Sequence, residues 1–264
     1  MDDFQVGVLG TCRVHEPIRA VAKAGKVIRQ IDPAFGFMHT PREISQSIEV
    51  LRRNVPPPSW GAELISLSAP EKLDGSEDLY LKRFGRADVL IIEISSMKEI
   101  VFDGWCIQSN VLGKSLVEAG FPKSLAKRAF EKNGISEALL NKLEMTSPRL
   151  FNIFDKGIFA NLTADDVAKA LDILLEKIDR PVLLVGHFVE VGPFADGPIP
   201  ARVQLRDILR SVAHSRPGTG FMDPTEHIAE YGFEHALDDG AHYKKSYLLH
   251  AGEKLVEAAK RLAG

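Results

Sequence analysis

The chain has 264 residues, 45% hydrophobic and 26% charged, the makeup of an ordinary globular protein long enough to bury a sizeable core. A formal net charge of -3, with Lys and Arg scattered along the chain, leaves no electrostatic footprint for nucleic acid. No apolar run reaches the ~18 residues that a membrane span needs, the acidic Met-Asp-Asp start lacks the basic n-region of a secretory signal, and two cysteines are too few for a disulfide framework. The expectation is a cytoplasmic protein with no nucleic-acid partner and no membrane span.

In chain order, β-branched and aliphatic runs predict strands at residues 4–9, 62–67, 87–94, 180–188 and 219–222. The runs at 88–94 and 181–186 are nearly continuous in apolar residues, as central strands covered on both faces require. Residues 109–147 are rich in Lys, Glu, Leu and Ala, carry no strand signal and join two central strands. They predict a helical insertion, a lid or a contact between copies in a homo-oligomer, within one domain spanning 1–264. Val167, Leu171, Leu174, Leu175 and Ile178 recur at helical steps after a Thr163/Asp166 start signal, and Leu248, Ala251, Leu255, Ala258, Ala259 and Leu262 do so in the closing segment. Strands alternating with helices predict an α/β fold: a three-layer α/β/α sandwich with a mostly parallel, five-stranded sheet.

The first strand breaks into Gly10-Thr11-Cys12-Arg13-Val14-His15. Strand ends of parallel sheets carry ligands, and a thiol beside the N–H groups that open the next helix is expected to have a lowered pKa and act as a nucleophile. The plainer alternative is a small buried residue at a tight turn. A dinucleotide site is excluded by the missing G-x-G-x-x-G pattern. Between the last strand signal and the closing helix lies Asp239-Gly240-Ala241-His242, where a carboxylate three residues ahead of an imidazole can fix its tautomer; an exposed loop histidine is the alternative.

Glu93-Ile94-Ser95-Ser96 and Gly186-His187 end central strands, so hydroxyl and N–H groups there can serve as oxyanion donors, or the serines merely begin a loop. His39 lies in a loop that lines the same pocket or stays on the surface. His227, His235 and His242 match no metal-ligand spacing, so no metal is assigned. Cys106, following Trp105 in packed sequence, is expected to be the less reactive thiol.

Together these blocks resemble the SGNH (GDSL-like) hydrolase superfamily, whose nucleophile follows the first strand and whose D-x-x-H block lies near the C-terminus. Gly10-Thr11-Cys12 stands where that superfamily has Gly-Asp-Ser. Gly10-Thr11-Cys12-Arg13 and Gly36-x-x-His39-x-Pro41-x-x-Ile44 are closer to its GSCFA and coenzyme A-binding capsule-biosynthesis members, which are bacterial. The resemblance implies acyl transfer or ester hydrolysis on a carbohydrate or related small molecule in polysaccharide biosynthesis. It implies Cys12 as nucleophile, His242 as base and Asp239 as its orienter. Oxyanion and substrate contacts then fall to Gly10, Thr11, Arg13, His15, His39, Ser95, Ser96 and His187, with Arg13 and His15 meeting substrate or an anionic donor such as acyl-coenzyme A. No other cofactor is required.

The chain departs from that pattern in three ways. Cys replaces Ser, the expected Asn after the third strand is missing from Glu93-Ile94-Ser95-Ser96-Met97, and the oxyanion glycine of the second block has no clear counterpart, with Gly61 and Gly75 nearby. Two further readings stay open: a non-catalytic binder of coenzyme A or a sugar nucleotide, and an assembly protein using the 109–147 helices.

Overall fold

The computed structural model describes residues 4–31, 35–53, 57–65, 67, 73, 78–124 and 137–264. Its centre is a parallel sheet of β1 (Gln5–Leu9), β2 (Ile28–Gln30), β3 (Val89–Glu93), β7 (Val182–Val185) and β8 (Thr219–Met222), in the order β2-β1-β3-β7-β8. Val6 sits opposite Val89, Leu90 opposite Val182, and Val182 opposite Thr219. A second, antiparallel sheet joins β4 (Lys98–Phe102), β5 (Trp105–Cys106) and β6 (Ile158–Asn161) in the order β5-β4-β6.

The two faces of the parallel sheet follow from the period-2 alternation of strand side chains. Val6, Val8, Val89, Ile91, Leu183 and Val185 face one way, onto Val14, Ile18 and Val21 of helix Cys12–Lys23 and Leu255, Val256 and Ala259 of helix Leu248–Ala263. Leu9, Leu90, Ile92 and Leu184 face the other way, onto helices Pro41–Arg53, Ala164–Glu176 and Pro200–Ser215. This is the expected three-layer α/β/α arrangement. Helix Ala164–Glu176 starts as anticipated: the Thr163 hydroxyl accepts from Asp166 N, and the Asp166 carboxylate accepts from Thr163 N.

The expected strand at 62–67 is not one. Ala62–Ile65 is a 3-10 helix, and Leu67 makes a single antiparallel bridge to Phe35. Its apolar run reflects burial, since Leu64 and Ile65 are enclosed. The fifth place in the parallel sheet belongs to β2, whose Ile-Arg-Gln sequence carries no alternating pattern.

The 109–147 stretch forms helices at Ser109–Glu118 and Glu137–Thr146, while 125–136 lies outside the described residues. Leu112, Leu116 and Leu143 share an apolar cluster with Ile100 of β4 and with Leu150, Ile153 and Phe154 of helix Pro148–Lys156. These helices therefore pack with the antiparallel sheet, which the sequence reading missed. Among the described residues, no helix is long and apolar enough to cross a membrane.

Helices Cys12–Lys23 and Leu248–Ala263 approach closely at Gly252. A Cβ on Gly252 would stand 2.3 Å from the Pro17 carbonyl oxygen and 2.4 Å from Val21 Cγ2. Gly252→Ala gains about 1 kcal/mol of helix propensity but overpacks against backbone, which costs about 1–3 kcal/mol. The expected outcome is a lower urea midpoint with an unchanged m-value; a raised midpoint would show that the two helices separate freely.

Candidate functional site

The site grows from the tips of β1, β3 and β7. Gly10 turns the chain out of β1 at φ +138, a conformation that favours glycine, and a Cβ there would meet the Glu93 Cβ at 2.7 Å. Thr11 then caps helix Cys12–Lys23, its hydroxyl accepting from Arg13 N. Glu93 ends β3, with no exposed surface. One carboxylate oxygen accepts from Thr11 N at 2.9 Å and from the Thr11 hydroxyl; the other accepts from Arg13 Nε at 2.5 Å. The start of the Cys12 helix is thereby bolted to the neighbouring strand.

Arg13 reaches further. Its Nη1 donates to the Ala241 carbonyl at 3.3 Å, and its guanidinium lies 5.9 Å from the Phe188 ring centroid. Arg202 holds the same loop from the other side, donating from Nη1 to the carbonyls of Gly240 at 2.9 Å and Phe188 at 3.0 Å. Burial, and then the nearby Arg13 cation, pull the Arg202 pKa down to about 10.

Within this loop Asp239 organises the turn. Its Oδ1 accepts from Ala241 N at 2.7 Å and His242 N at 2.8 Å, and its carboxylate meets His242 Nδ1 at 2.9 Å. The hydrogen bond to His242 heads the causes that hold the Asp239 carboxyl below the usual range. The Nδ1–H tautomer follows, leaving Nε2 as the basic nitrogen.

Cys12, Arg13, His242, Tyr243, Lys244 and Lys245 line one cavity of about 380 Å³. The structure thus brings the thiol and the Asp239-bound imidazole to a common wall, although no hydrogen bond joins them. The expected lowering of the thiol pKa is reversed. Burial pushes the Cys12 thiol up, and the pull of Arg13 is opposed by the Glu93 carboxylate behind it.

The other candidates scatter. Ser95 N and Ser96 N both donate to the His39 carbonyl, at 2.9 and 3.1 Å, so neither amide is free for an oxyanion. The Ser96 hydroxyl is taken by Lys98, and Ser95 Oγ is buried without a partner. His39 sits outside the Cys12 cavity, its Nε2 3.2 Å from Asn110 Nδ2 and its Nδ1 3.7 Å from the Glu43 carboxylate. His15 points to the Phe37 ring, 5.9 Å between centroids; burial first, and then Arg29, lower its pKa to about 4. His187 is buried beside Phe188 with Nδ1 unpartnered, and burial, Arg13 and Arg202 hold its pKa far below the usual value. Both imidazoles are neutral at physiological pH. Gly61 precedes the 3-10 helix at 62–65 and packs on Leu64; Gly75 lies outside the described residues. Among the described residues no three of His, Cys, Asp and Glu gather as a metal-ligand set.

Two residues that matter here, Glu93 and Arg202, had no role assigned from sequence. A carboxylate closing an otherwise apolar strand is the available signal for Glu93; Arg202 offers none.

Comparisons with known proteins cover nearly the whole chain. Residues 4–258 match the family described as the TviD N-terminal domain. The Vi polysaccharide biosynthesis protein TviD of Salmonella typhi is 24% identical over 275 residues, which cover 97% of this chain and 31% of that protein. The chain therefore spans about a third of the length of the curated relative it matches.

The thiol environments generate a prediction. Cys106 is buried and pushed up to about 12 by burial and then by Glu99 and Glu43, whereas Cys12 is only half-buried with Arg13 beside it. Alkylation followed by peptide mapping should modify Cys12 first. Because its pKa is raised, its labelling rate should keep climbing through pH 9 as thiolate accumulates. Faster labelling of Cys106, or a Cys12 rate that levels off below pH 8, would contradict this assignment.

Proposed function

This chain belongs to the TviD N-terminal domain family, and on that premise we propose that it is an acyltransferase acting on a carbohydrate of bacterial polysaccharide biosynthesis. When water takes the acceptor's place, the same steps make it an esterase. The observation that carries the proposal is the common wall of Cys12 and His242, with the imidazole already oriented by Asp239. The likeness of the two end blocks to SGNH-type hydrolases, and the polysaccharide role in the relative's name, supply the reaction class and the pathway.

In the proposed cycle His242 Nε2 removes the Cys12 proton as Sγ attacks the donor's acyl carbon. Nε2 then returns that proton to the departing group as its bond to the carbonyl breaks, which leaves a thioester on Cys12. An acceptor hydroxyl next attacks the thioester and gives its proton to Nε2. The C–S bond breaks, and the thiolate leaves to recover a proton. The raised thiol pKa makes the base necessary, since little thiolate exists at neutral pH without it. For the oxyanion, the Cys12 N–H is the natural donor: it is the first amide of its helix, while the Thr11 N–H is spent on Glu93. An acyl-coenzyme A suits the cavity as donor because the exposed Lys245 on its wall can meet a phosphate; the Lys244 ammonium is already bonded to the Glu234 carbonyl.

A non-catalytic binder is the second reading, favoured by the missing Cys12–His242 hydrogen bond and the raised thiol pKa. Turnover of p-nitrophenyl acetate separates the two. His242→Ala and Cys12→Ala should each lower kcat by about 10²–10⁴-fold. The double variant should lose little more, because members of one catalytic unit are non-additive. Matched thermal melts control for unfolding. Two well-folded variants with parental turnover would replace the enzyme reading by the binding one.

A further inference from the structure

A second cavity, of about 580 Å³, shares no lining residue with the first and has no role in the chemistry above. Its apolar wall is Phe37, Leu67 and Val111; its polar groups include Glu63, Gln108 and Asn110. Phe37 is the feature that needs explaining, a large ring left 44% exposed at a cavity mouth. Its place relative to Cys12 is set by two contacts. Met38 N donates to the Gly10 carbonyl at 3.0 Å, and the Phe37 ring rests on His15, three residues beyond Cys12 on the same helix. Residues three apart share a helix face, so the Phe37 cavity continues the face that carries the thiol.

The wall chemistry narrows the ligand. An exposed ring offers an apolar surface to the C–H face of a pyranose, and the Asn110 carboxamide beside it, with the Glu63 carboxylate that also holds Arg149 at 2.6 Å, takes hydroxyls. Asn110 is prepared for this. Its Nδ2 is occupied by His39 Nε2, which fixes the side-chain orientation and leaves Oδ1 to accept. Gln108 is engaged within the protein and shapes the wall, its Oε1 accepting from Val111 N and its Nε2 3.5 Å from His39 Nδ1. A volume of this size suits a ligand portion of a few rings.

We infer that the Phe37 cavity is a saccharide subsite, holding sugar units of an extended acceptor while a neighbouring unit presents its hydroxyl at Cys12. This rests on the acyltransferase reading for the acceptor's role, though not for binding itself. A chain spanning both cavities gains affinity over a single sugar because its second contact is intramolecular.

Calorimetric titration with maltotetraose, chitotetraose and tetragalacturonate, each beside its monosaccharide, tests the inference. At least one tetrasaccharide should bind, at least about tenfold more tightly than its monosaccharide. Phe37→Ala and Asn110→Ala should each weaken that binding by about tenfold or more, while Cys12→Ala binds like the parent. Phe37 is exposed enough that its loss leaves the fold intact, which a thermal melt verifies. Binding by none of the three tetrasaccharides, or parental binding by both cavity variants, overturns the subsite. Phe37-dependent binding in a protein that turns over no ester would keep the subsite and reject the acyltransferase reading, so the two failures are distinguishable.

Discussion

The buried carboxylate of Glu93 is the constraint around which the site is arranged. It ends a strand otherwise composed of Val, Leu and Ile, and it has no water-facing surface. A charge in that position is tolerated only when its oxygens are fully engaged. Thr11 and Arg13 engage them, and both lie in the turn that carries Cys12. Gly10 must therefore be glycine, since any Cβ would strike the Glu93 side chain and open the turn. Removing one partner from a buried ion pair typically costs about 3–5 kcal/mol, because the other charge stays buried. At this site the loss would also release the Cys12 helix from the sheet.

The same pair extends to the loop that carries His242. Arg13 bonds the Ala241 carbonyl and Arg202 bonds the Gly240 carbonyl, so the loop that presents His242 hangs from two guanidinium groups rooted near the strand tips. The two cations act electrostatically as well: burial first, and then Arg13 and Arg202, keep His187 neutral, while Asp239 holds His242 on the cavity wall. One network thus ties the turn that carries Cys12 and the loop that carries His242 to the same strand tips.

How much of this could be read from the chain depends on how local each interaction is. Asp239 and His242 were legible because their contact spans three residues and needs no fold to bring it together. β1, β3 and β7 were legible because strands buried on both faces are continuously apolar. β2 was not, being a three-residue edge with Arg and Gln. Ala62–Ile65 mimicked a strand because its leucine and isoleucine are buried in side clusters. β4 was hidden by its charges: Glu99 is buried, but against Arg42, a partner far away in sequence. Glu93 could be seen yet not understood, since its partners lie 80 and 82 residues away. The direction of the Cys12 pKa failed for a related reason. Thiol burial and the Glu93 charge are products of tertiary structure, and both oppose the pull of the neighbouring Arg13.

The account's central claim is that acyl groups pass through Cys12. Intact mass of the purified protein after brief exposure to acetyl-coenzyme A or p-nitrophenyl acetate, followed by peptide mapping, tests it directly. The account predicts a single added acyl group on Cys12, absent from Cys12→Ala and slower to form in His242→Ala. Ester turnover with no adduct on Cys12, or an adduct that forms equally well in Cys12→Ala, would contradict it.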